Sequence, residues 1–118
     1  MGPGDLATNL APNDQDGLQP TFTWTDPSVD SNDLFSFYIF GPTGNTFWQV
    51  PGTNSNSNGF SSSLNSLTLG MDPSNAGNDL PPGDYLVDQT TYSWDIQVQD
   101  SNGNQALTIQ YFQASALL

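Results

Sequence analysis

The sequence predicts an all-β protein, folded as a two-sheet antiparallel β-sandwich of about seven strands. Apolar and polar residues alternate with a period of two in several short runs, and helical periodicity is nearly absent. The segments between the runs are dense in Gly, Pro, Asn and Asp, which form turns. A domain of 118 residues with three Trp, four Tyr and seven Phe can bury a core without disulfides or metals.

Two runs of different clarity predict strands in the first and middle parts of the chain. The run PTFTWT at 20–25 alternates Phe22 and Trp24 with threonines, which is the period of a half-buried strand. The run LNSLTL at 64–69 places two leucines on one phase and is a weaker strand prediction. Phe22 and Trp24 are therefore expected to begin one wall of the core.

The run LFSFYIF at 34–40 is apolar on both phases, so its small polar residue decides which face is inward. Because Ser36 shares a phase with Tyr38 and Phe40, these two aromatic side chains are predicted to face outward. The run TFWQV at 46–50 follows the turn GPTGN and is predicted to pair back as a hairpin. The predicted core face of the longer run consists of Phe35, Phe37 and Ile39.

The stretch TTYSWDIQVQDSNGNQALTIQYF, at 90–112, predicts the last two strands and a tight hairpin between them. Its Asn-Gly pair tolerates the positive φ angles that such a turn requires. Like the earlier runs, both ribbons need a common interior, and the other sheet is expected to supply it. The alternating apolar residues are Tyr92, Trp94, Ile96 and Val98 in the first ribbon, and Leu107, Ile109 and Tyr111 in the second.

All twelve charged side chains are aspartates, and the chain has no Lys, Arg, His or Cys, which gives a net charge of −12. Such a chain repels phosphates and anionic lipids and cannot release counterions from nucleic acids, so nucleic-acid binding is excluded. No apolar run is long enough to span a bilayer, and membrane insertion is not expected. A surface rich in Ser, Thr, Asn and Gln favours an extracellular or cell-surface location.

The chain is predicted to form one domain with short flanking segments. Residues 1–18 are an N-terminal segment with an indistinct first strand somewhere within 5–12, residues 19–113 are the sandwich, and 114–118 are a tail. The start MGPGDLATNL lacks the basic and apolar regions of a signal peptide. We expect either a cytoplasmic protein or, as the favoured interpretation, a segment of a longer secreted protein.

The stretches PTFTWTDP, NTFWQV, LPPGDY and YSWDIQVQDSNGN together resemble fibronectin type III-like and Ig-like modules of bacterial or archaeal surface and secreted proteins. The resemblance covers residues 19–113. It implies that Trp24 is the core tryptophan and that one tyrosine forms a tyrosine corner, for which Tyr85 and Tyr92 are both candidates. Such modules serve as spacers, adhesins and polymer subunits, so the resemblance predicts the sandwich better than the function.

The residue types that are missing exclude most catalytic chemistry. Without His, Cys or Lys there is no activated serine, thiolate or Schiff base, and no Asp stands in an aspartic-protease motif. We therefore expect no enzyme and no cofactor. NDQDG at 13–17 and DSNGN at 100–104 resemble fragments of calcium loops, but neither has the full ligand spacing. Turn formation by their Asn and Asp residues is the favoured explanation, with a weak calcium site in these loops as the alternative.

The best candidate for a binding site is an outward-facing group of aromatic and polar side chains. Aromatic rings with a few convergent polar groups are how β-sandwich modules bind sugars. The alternatives are that these rings only cover one another beneath the loop TNSNSNGFSSS, or that Phe47 and Trp48 are exchanged in phase. The candidate ligand-binding residues are Tyr38, Phe40, Trp48, Asp95 and Gln97.

The function expected from these observations is that of a non-catalytic extracellular structural or adhesive module with a protein or polysaccharide partner. A carbohydrate-binding module that uses the outward aromatic residues is the first alternative. A self-assembling fibre subunit is the second, since the indistinct first strand and the apolar end ASALL suit strand exchange with a neighbour. Both features also suit ordinary frayed termini.

Overall fold

The computed structural model describes residues 8–12, 17–25, 32–61 and 63–115 and confirms the predicted all-β fold. Beyond the strands, the described part contains one short 3-10 helix, Ala76–Asn78, and no helix in it could cross a membrane. The strands, in chain order, are β1 (Thr8–Pro12), β2 (Thr21–Thr25), β3 (Leu34–Phe40), β4 (Thr46–Val50), β5 (Ser66–Thr68), β6 (Thr91–Gln99) and β7 (Gln105–Gln113).

The strands form two antiparallel sheets that pack face to face. One sheet has three strands in the order β1-β2-β5, and the other has four in the order β4-β3-β6-β7. The first strand, at Thr8–Pro12, lies within the range predicted for it and pairs with β2. The bounds of β3 and β4 are those predicted, whereas the weakly patterned run at 64–69 shortens to the three residues of β5.

Aromatic side chains from both sheets share one core. The ring of Phe22 on β2 lies 5.1 Å from that of Phe37 on β3 and 4.9 Å from that of Trp94 on β6, measured between centroids. Trp24 and Trp94 also face each other across the core, at 6.4 Å. Burial of each large apolar side chain contributes roughly 1.5–3 kcal/mol. The predicted inward faces of β2, β3 and β6 are confirmed, including Phe35, Phe37 and Ile39.

The two strands of the C-terminal hairpin pair in full register, but their apolar phases point in opposite directions. Trp94 pairs with Gln110 and Ile96 pairs with Thr108, so the phase of β7 next to the core residues of β6 is polar at its centre, with Ala106 and Phe112 packed against the core at its two ends. The Trp94 indole N–H donates a hydrogen bond to the Gln110 side-chain oxygen at 3.0 Å, which satisfies a polar group within the core layer. Leu107, Ile109 and Tyr111 consequently lie on the outside of the sandwich, so the expectation that both ribbons share a common interior through their alternating apolar residues is wrong for β7.

Of the two tyrosines left open for the corner, Tyr92 has the required contact. Its hydroxyl oxygen accepts a hydrogen bond from the backbone N–H of Val87, five residues upstream, at 2.9 Å. The Tyr92 ring is buried against Phe112 and Phe47, whereas Tyr85 is exposed. The hydrogen bond ties the segment that leads into β6 to the start of that strand.

The loop after β5 is organised by one buried carboxylate. Asp72 accepts hydrogen bonds from the backbone N–H and the hydroxyl of Ser74, each at 2.9 Å, and from the Asn78 side-chain amide, also at 2.9 Å. The carbonyl of Asn78 in turn accepts the indole N–H of Trp48 at 2.8 Å. The loop is thereby attached to β4, on the other sheet.

Candidate interaction surface

The outer face of the four-stranded sheet brings several of the predicted site residues together. The register places Tyr38 of β3 beside Asp95 of β6, and Asp95 beside Ile109 of β7, in one row across the sheet. The neighbouring rows hold Phe40, Ser93 and Tyr111 on one side, and Ser36, Gln97 and Leu107 on the other.

Strand β7 contributes an exposed apolar strip to this face, which we call the β7 strip and define as Leu107, Ile109 and Tyr111. Their side chains are 51%, 44% and 70% exposed, respectively. The three residues are successive on the outer phase of one strand, so their side chains form a continuous line. A single exposed leucine would be ordinary, but a continuous apolar line on a sheet face is a feature of binding surfaces.

Asp95 lies under the centre of this face and is almost completely buried, with 4% of its surface exposed. Its Oδ1 atom accepts no hydrogen bond from any residue that the structure describes. Burial raises the pKa of the Asp95 carboxyl to about 6, and a hydrogen bond with the Gln97 side chain acts in the opposite direction. The prediction that Asp95 belongs to the outer face is correct, but the carboxylate is covered by its neighbours.

Tyr38 and Phe40 form a pair of parallel rings on the same face. Their centroids are 6.0 Å apart and their planes differ by 8°. Both side chains are half-buried, so each retains an accessible part of its ring. The outward phase predicted for them from Ser36 is confirmed.

Trp48 does not belong to this surface, and its predicted outward orientation is wrong. The residue pairs with Ile39 on the core side of the sheet, is buried, and packs edge-on against Phe37 at 5.7 Å. The pairing of β3 with β4 shifts between Ile39 and Phe40, which leaves Phe47 as the extra residue of a bulge. The alternative phase is therefore correct for Trp48, which faces inward, but not for Phe47, which is half-buried and packs against the core residue Tyr92.

Of the two stretches that resemble calcium-loop fragments, the structure describes only the second in full. Residues 13–16 lie outside the described part of the chain. In the stretch 100–104, Asp100 Oδ1 accepts the backbone N–H groups of Asn102 and Asn104, each at 2.9 Å, which is the turn chemistry expected for this hairpin. Within the described ranges, no cluster of three or more acidic side chains could hold a metal ion.

The β7 strip is the part of the surface that sequence reasoning did not assign to a site. Its alternating apolar residues were expected to face the common interior, but alternation alone does not determine which phase faces the core. The length of the turn between β6 and β7 decides this face. A two-residue turn at Asn102 and Gly103 would pair Ser101 with Asn104 and place Trp94 opposite Tyr111. The structure instead closes the turn at Asp100 and Asn104, with three residues between them, which places Trp94 opposite Gln110 and puts the apolar phase of β7 on the outside. The Asn-Gly signal taken alone therefore predicts the wrong register.

No protein-family model, curated protein or solved structure matches this chain.

Proposed function

We propose that this chain is a non-catalytic structural or adhesive module of an extracellular or cell-surface protein, where it acts as a spacer or interaction domain. The observation that carries the proposal is the β7 strip, a continuous apolar line on the outer face of a well-packed sandwich. Apolar surface of this kind favours contact with another molecule. The neighbouring rings of Tyr38 and Phe40 extend the contact area across the sheet.

The proposed family is that of fibronectin type III-like modules. The strand orders β1-β2-β5 and β4-β3-β6-β7 agree with the arrangement expected of such a module, and the hydrogen bond of Tyr92 has the form of a tyrosine corner. Members of this class act as spacers and adhesins alike, so the class supports a structural or adhesive role without naming a ligand.

The proposed extracellular location is supported by the composition of the polar residues, most of which are uncharged. Only 10% of the residues are charged, and Ser, Thr, Asn and Gln supply most of the remaining polarity. The absence of Lys and Arg also removes every cleavage site for trypsin-like proteases. Both properties suit a module that works outside the cell.

A bead-adhesion experiment tests the adhesive role. The chain would be coupled to fluorescent beads, and retention measured under flow on surfaces coated with collagen, cellulose or chitin. Wild-type beads should be retained on at least one surface, and Tyr111→Ser should lower retention at least about fivefold, which corresponds to the loss of one aromatic contact. The matched control is Tyr85→Ser, because Tyr85 is also an exposed tyrosine but lies outside the surface. Retention that Tyr111→Ser leaves unchanged would contradict an adhesive role for this face.

A carbohydrate-binding module is the second candidate, and the parallel rings of Tyr38 and Phe40 are the observation that favours it. A neutral polysaccharide could contact these rings and the Gln97 amide without meeting the repulsion that the chain's charge of −12 imposes on anionic glycans. In affinity gels that contain cellulose derivatives or xylan, Tyr38→Ala and Phe40→Ala should abolish retardation, and the exposed-loop control Val87→Ala should not. Equal mobility of all four proteins with and without polysaccharide would contradict this candidate.

A further inference from the structure

Strand β7 is an edge strand, and half of its backbone groups are directed away from the sheet. Two hydrogen bonds bracket its ladder with β6, from the Asp100 N–H to the Asn104 carbonyl and from the Ala114 N–H to the Thr90 carbonyl. Because antiparallel pairs alternate between bonded and non-bonded positions, the even-numbered residues of β7 bond to β6. The N–H and C=O groups that point to the open edge belong to Gln105, Leu107, Ile109, Tyr111 and Gln113, and no residue that the structure describes pairs with this edge.

This edge has none of the features that usually prevent strands from pairing between molecules. Its nine residues, QALTIQYFQ, include no charge, no proline and no glycine. Strand β1 of the other sheet approaches β7 without pairing with it. A long, regular and uncharged edge is a template for one more strand.

The side-chain pattern of β7 is symmetric about Ile109. If a second β7 ran antiparallel with Ile109 opposite Ile109, the residues at equal distances on the two sides would face each other. Leu107 would then face Tyr111 as an apolar pair, and the end glutamines would face each other. All of these positions are odd-numbered, so their free backbone groups are the ones that the pairing requires.

We propose that two copies of this chain associate edge to edge through β7, antiparallel about a two-fold axis at Ile109, so that their four-stranded sheets form one continuous sheet. The occupant of the edge is a second copy because the pattern is complementary to itself in the reversed direction. The pairing also aligns the two β7 strips on one face. This inference concerns the strand edge and does not depend on whether the outer face is adhesive.

The charge of the chain determines the conditions under which the dimer forms. Each copy carries −12, so two copies repel each other, although β7 itself is uncharged. A single nine-residue edge is also small for an interface, and we therefore expect weak association. Salt should strengthen the association by screening the repulsion between the two copies.

Sedimentation of the wild-type chain provides the first test. At protein concentrations of about 0.1–1 mM, the average mass should rise from 12.7 kDa toward that of a dimer, and more so in about 0.5 M than in about 0.05 M NaCl. Ile109→Lys places like charges opposite each other at the axis and should weaken association at least about tenfold. Val87→Lys changes the net charge equally at an exposed loop position and should not weaken it. A wild-type chain that stays monomeric throughout would overturn the proposal.

Cysteine cross-linking tests the register, because the chain has no cysteine of its own. In the proposed dimer the two Cα atoms at position 109 lie about 5.5 Å apart, within disulfide range, whereas those at position 107 lie about 14 Å apart. Oxidised glutathione would convert two Ile109→Cys chains into one disulfide-linked dimer and be reduced to two molecules of glutathione. This reaction should be at least about tenfold faster than for Leu107→Cys, a control of similar exposure.

Mixing Leu107→Cys with Tyr111→Cys extends the test, since these two positions face each other in the proposed register. The mixed disulfide should form faster than the homodimer of either variant. Equal cross-linking at 107 and 109 would show random collision or a different partner surface and would overturn the proposed axis. Adhesion of the wild-type beads would be unaffected by that outcome, so failure of the dimer and failure of the proposed function are distinguishable.

Discussion

Asp95 is buried on the outer face of a sheet, where a carboxylate would ordinarily be hydrated. Tyr38 and Ile109 flank it on the neighbouring strands, and its Oδ1 atom has no hydrogen-bond partner among the described residues. An ionised carboxylate in these surroundings loses hydration without gaining a cation. This loss explains why the pKa of Asp95 rises to about 6, despite the hydrogen bond with Gln97. The carboxyl is therefore one of the groups through which pH acts on this protein.

The first prediction concerns Asp95→Asn. The folded state holds the Asp95 proton up to a pKa of about 6, against 3.8 ordinarily, so it binds more protons than the unfolded chain between these values. The contribution of Asp95 to the unfolding free energy is therefore fully present below about pH 4 and is lost as the pH rises to about 6. Asp95→Asn removes the charge and should raise the unfolding free energy by about 1–3 kcal/mol at pH 8, but little at pH 4.

Urea unfolding at the two pH values provides the measurement for Asp95→Asn. Asp84→Asn is the matched control, because it removes the same charge from an exposed loop. The residues that face Asp95 from its own and neighbouring strands include no carboxylate and no cation; they are Tyr38, Ser93, Gln97 and Ile109. Equal stabilisation by Asp84→Asn at pH 8 would show that net charge, not burial, governs the effect.

The second prediction concerns the hydroxyl of Tyr92. Tyr92→Phe keeps the buried ring but removes the acceptor of the Val87 N–H, and it should lower the unfolding free energy by about 1–2 kcal/mol. Thermal unfolding measures the change, which corresponds to a fall in Tm of at least about 4 °C for a domain of this size. Tyr85→Phe should leave Tm within about 1 °C, since Tyr85 is exposed. Equal effects of the two substitutions would contradict the corner assignment.

At the scale of single elements, the strands could be predicted more securely than the direction in which they face. Strands β3 and β4 have their predicted bounds because the turn GPTGN between them is a strong local signal, and the face of β3 was predicted correctly from Ser36. The apolar phase of β7 was expected to face the common interior and lies outside, because its alternation is equally regular in either orientation and only the register with β6 decides it. Trp48 was misplaced because a bulge at Phe47 shifts the pairing with β3. The alternation of residues within a single strand predicts neither its register with the neighbouring strand nor the position of a bulge.

The third prediction concerns the loop after β5. Asp72→Ala removes an acceptor used by both donors of Ser74 and by the Asn78 amide, within a largely buried site. We expect the unfolding free energy to fall by about 2 kcal/mol, since three hydrogen bonds to a buried carboxylate are lost. Asp100→Ala, which removes similar contacts from a more exposed turn, should cost about half as much or less. Guanidinium unfolding of both variants gives the comparison, and a larger effect for Asp100→Ala would contradict it.

At the scale of the whole molecule, the free energy of unfolding reflects two opposing contributions. Packing of the core stabilises the fold, and the uncompensated negative charge destabilises it. The aromatic contacts between the two sheets form a continuous core, from Phe22 and Trp24 on one side to Phe37 and Trp94 on the other. The chain carries twelve aspartate side chains and no cationic side chain, so no side-chain salt bridge can form. Folding brings these charges closer together than they are in the unfolded chain. Two separate electrostatic costs follow, one from mutual repulsion and one from the burial of Asp95.

The two costs differ in their response to salt, and this difference is the basis of the last prediction. In low salt the wild-type chain should have a higher Tm at pH 5 than at pH 8, because protonation relieves both costs. Adding about 0.5 M NaCl screens repulsion between exposed charges but leaves the desolvation of a buried carboxylate almost unchanged. The gap in Tm should therefore shrink without closing. In Asp95→Asn the remaining gap should disappear at high salt, whereas a gap that persists in that variant would mean that another group carries the pH dependence.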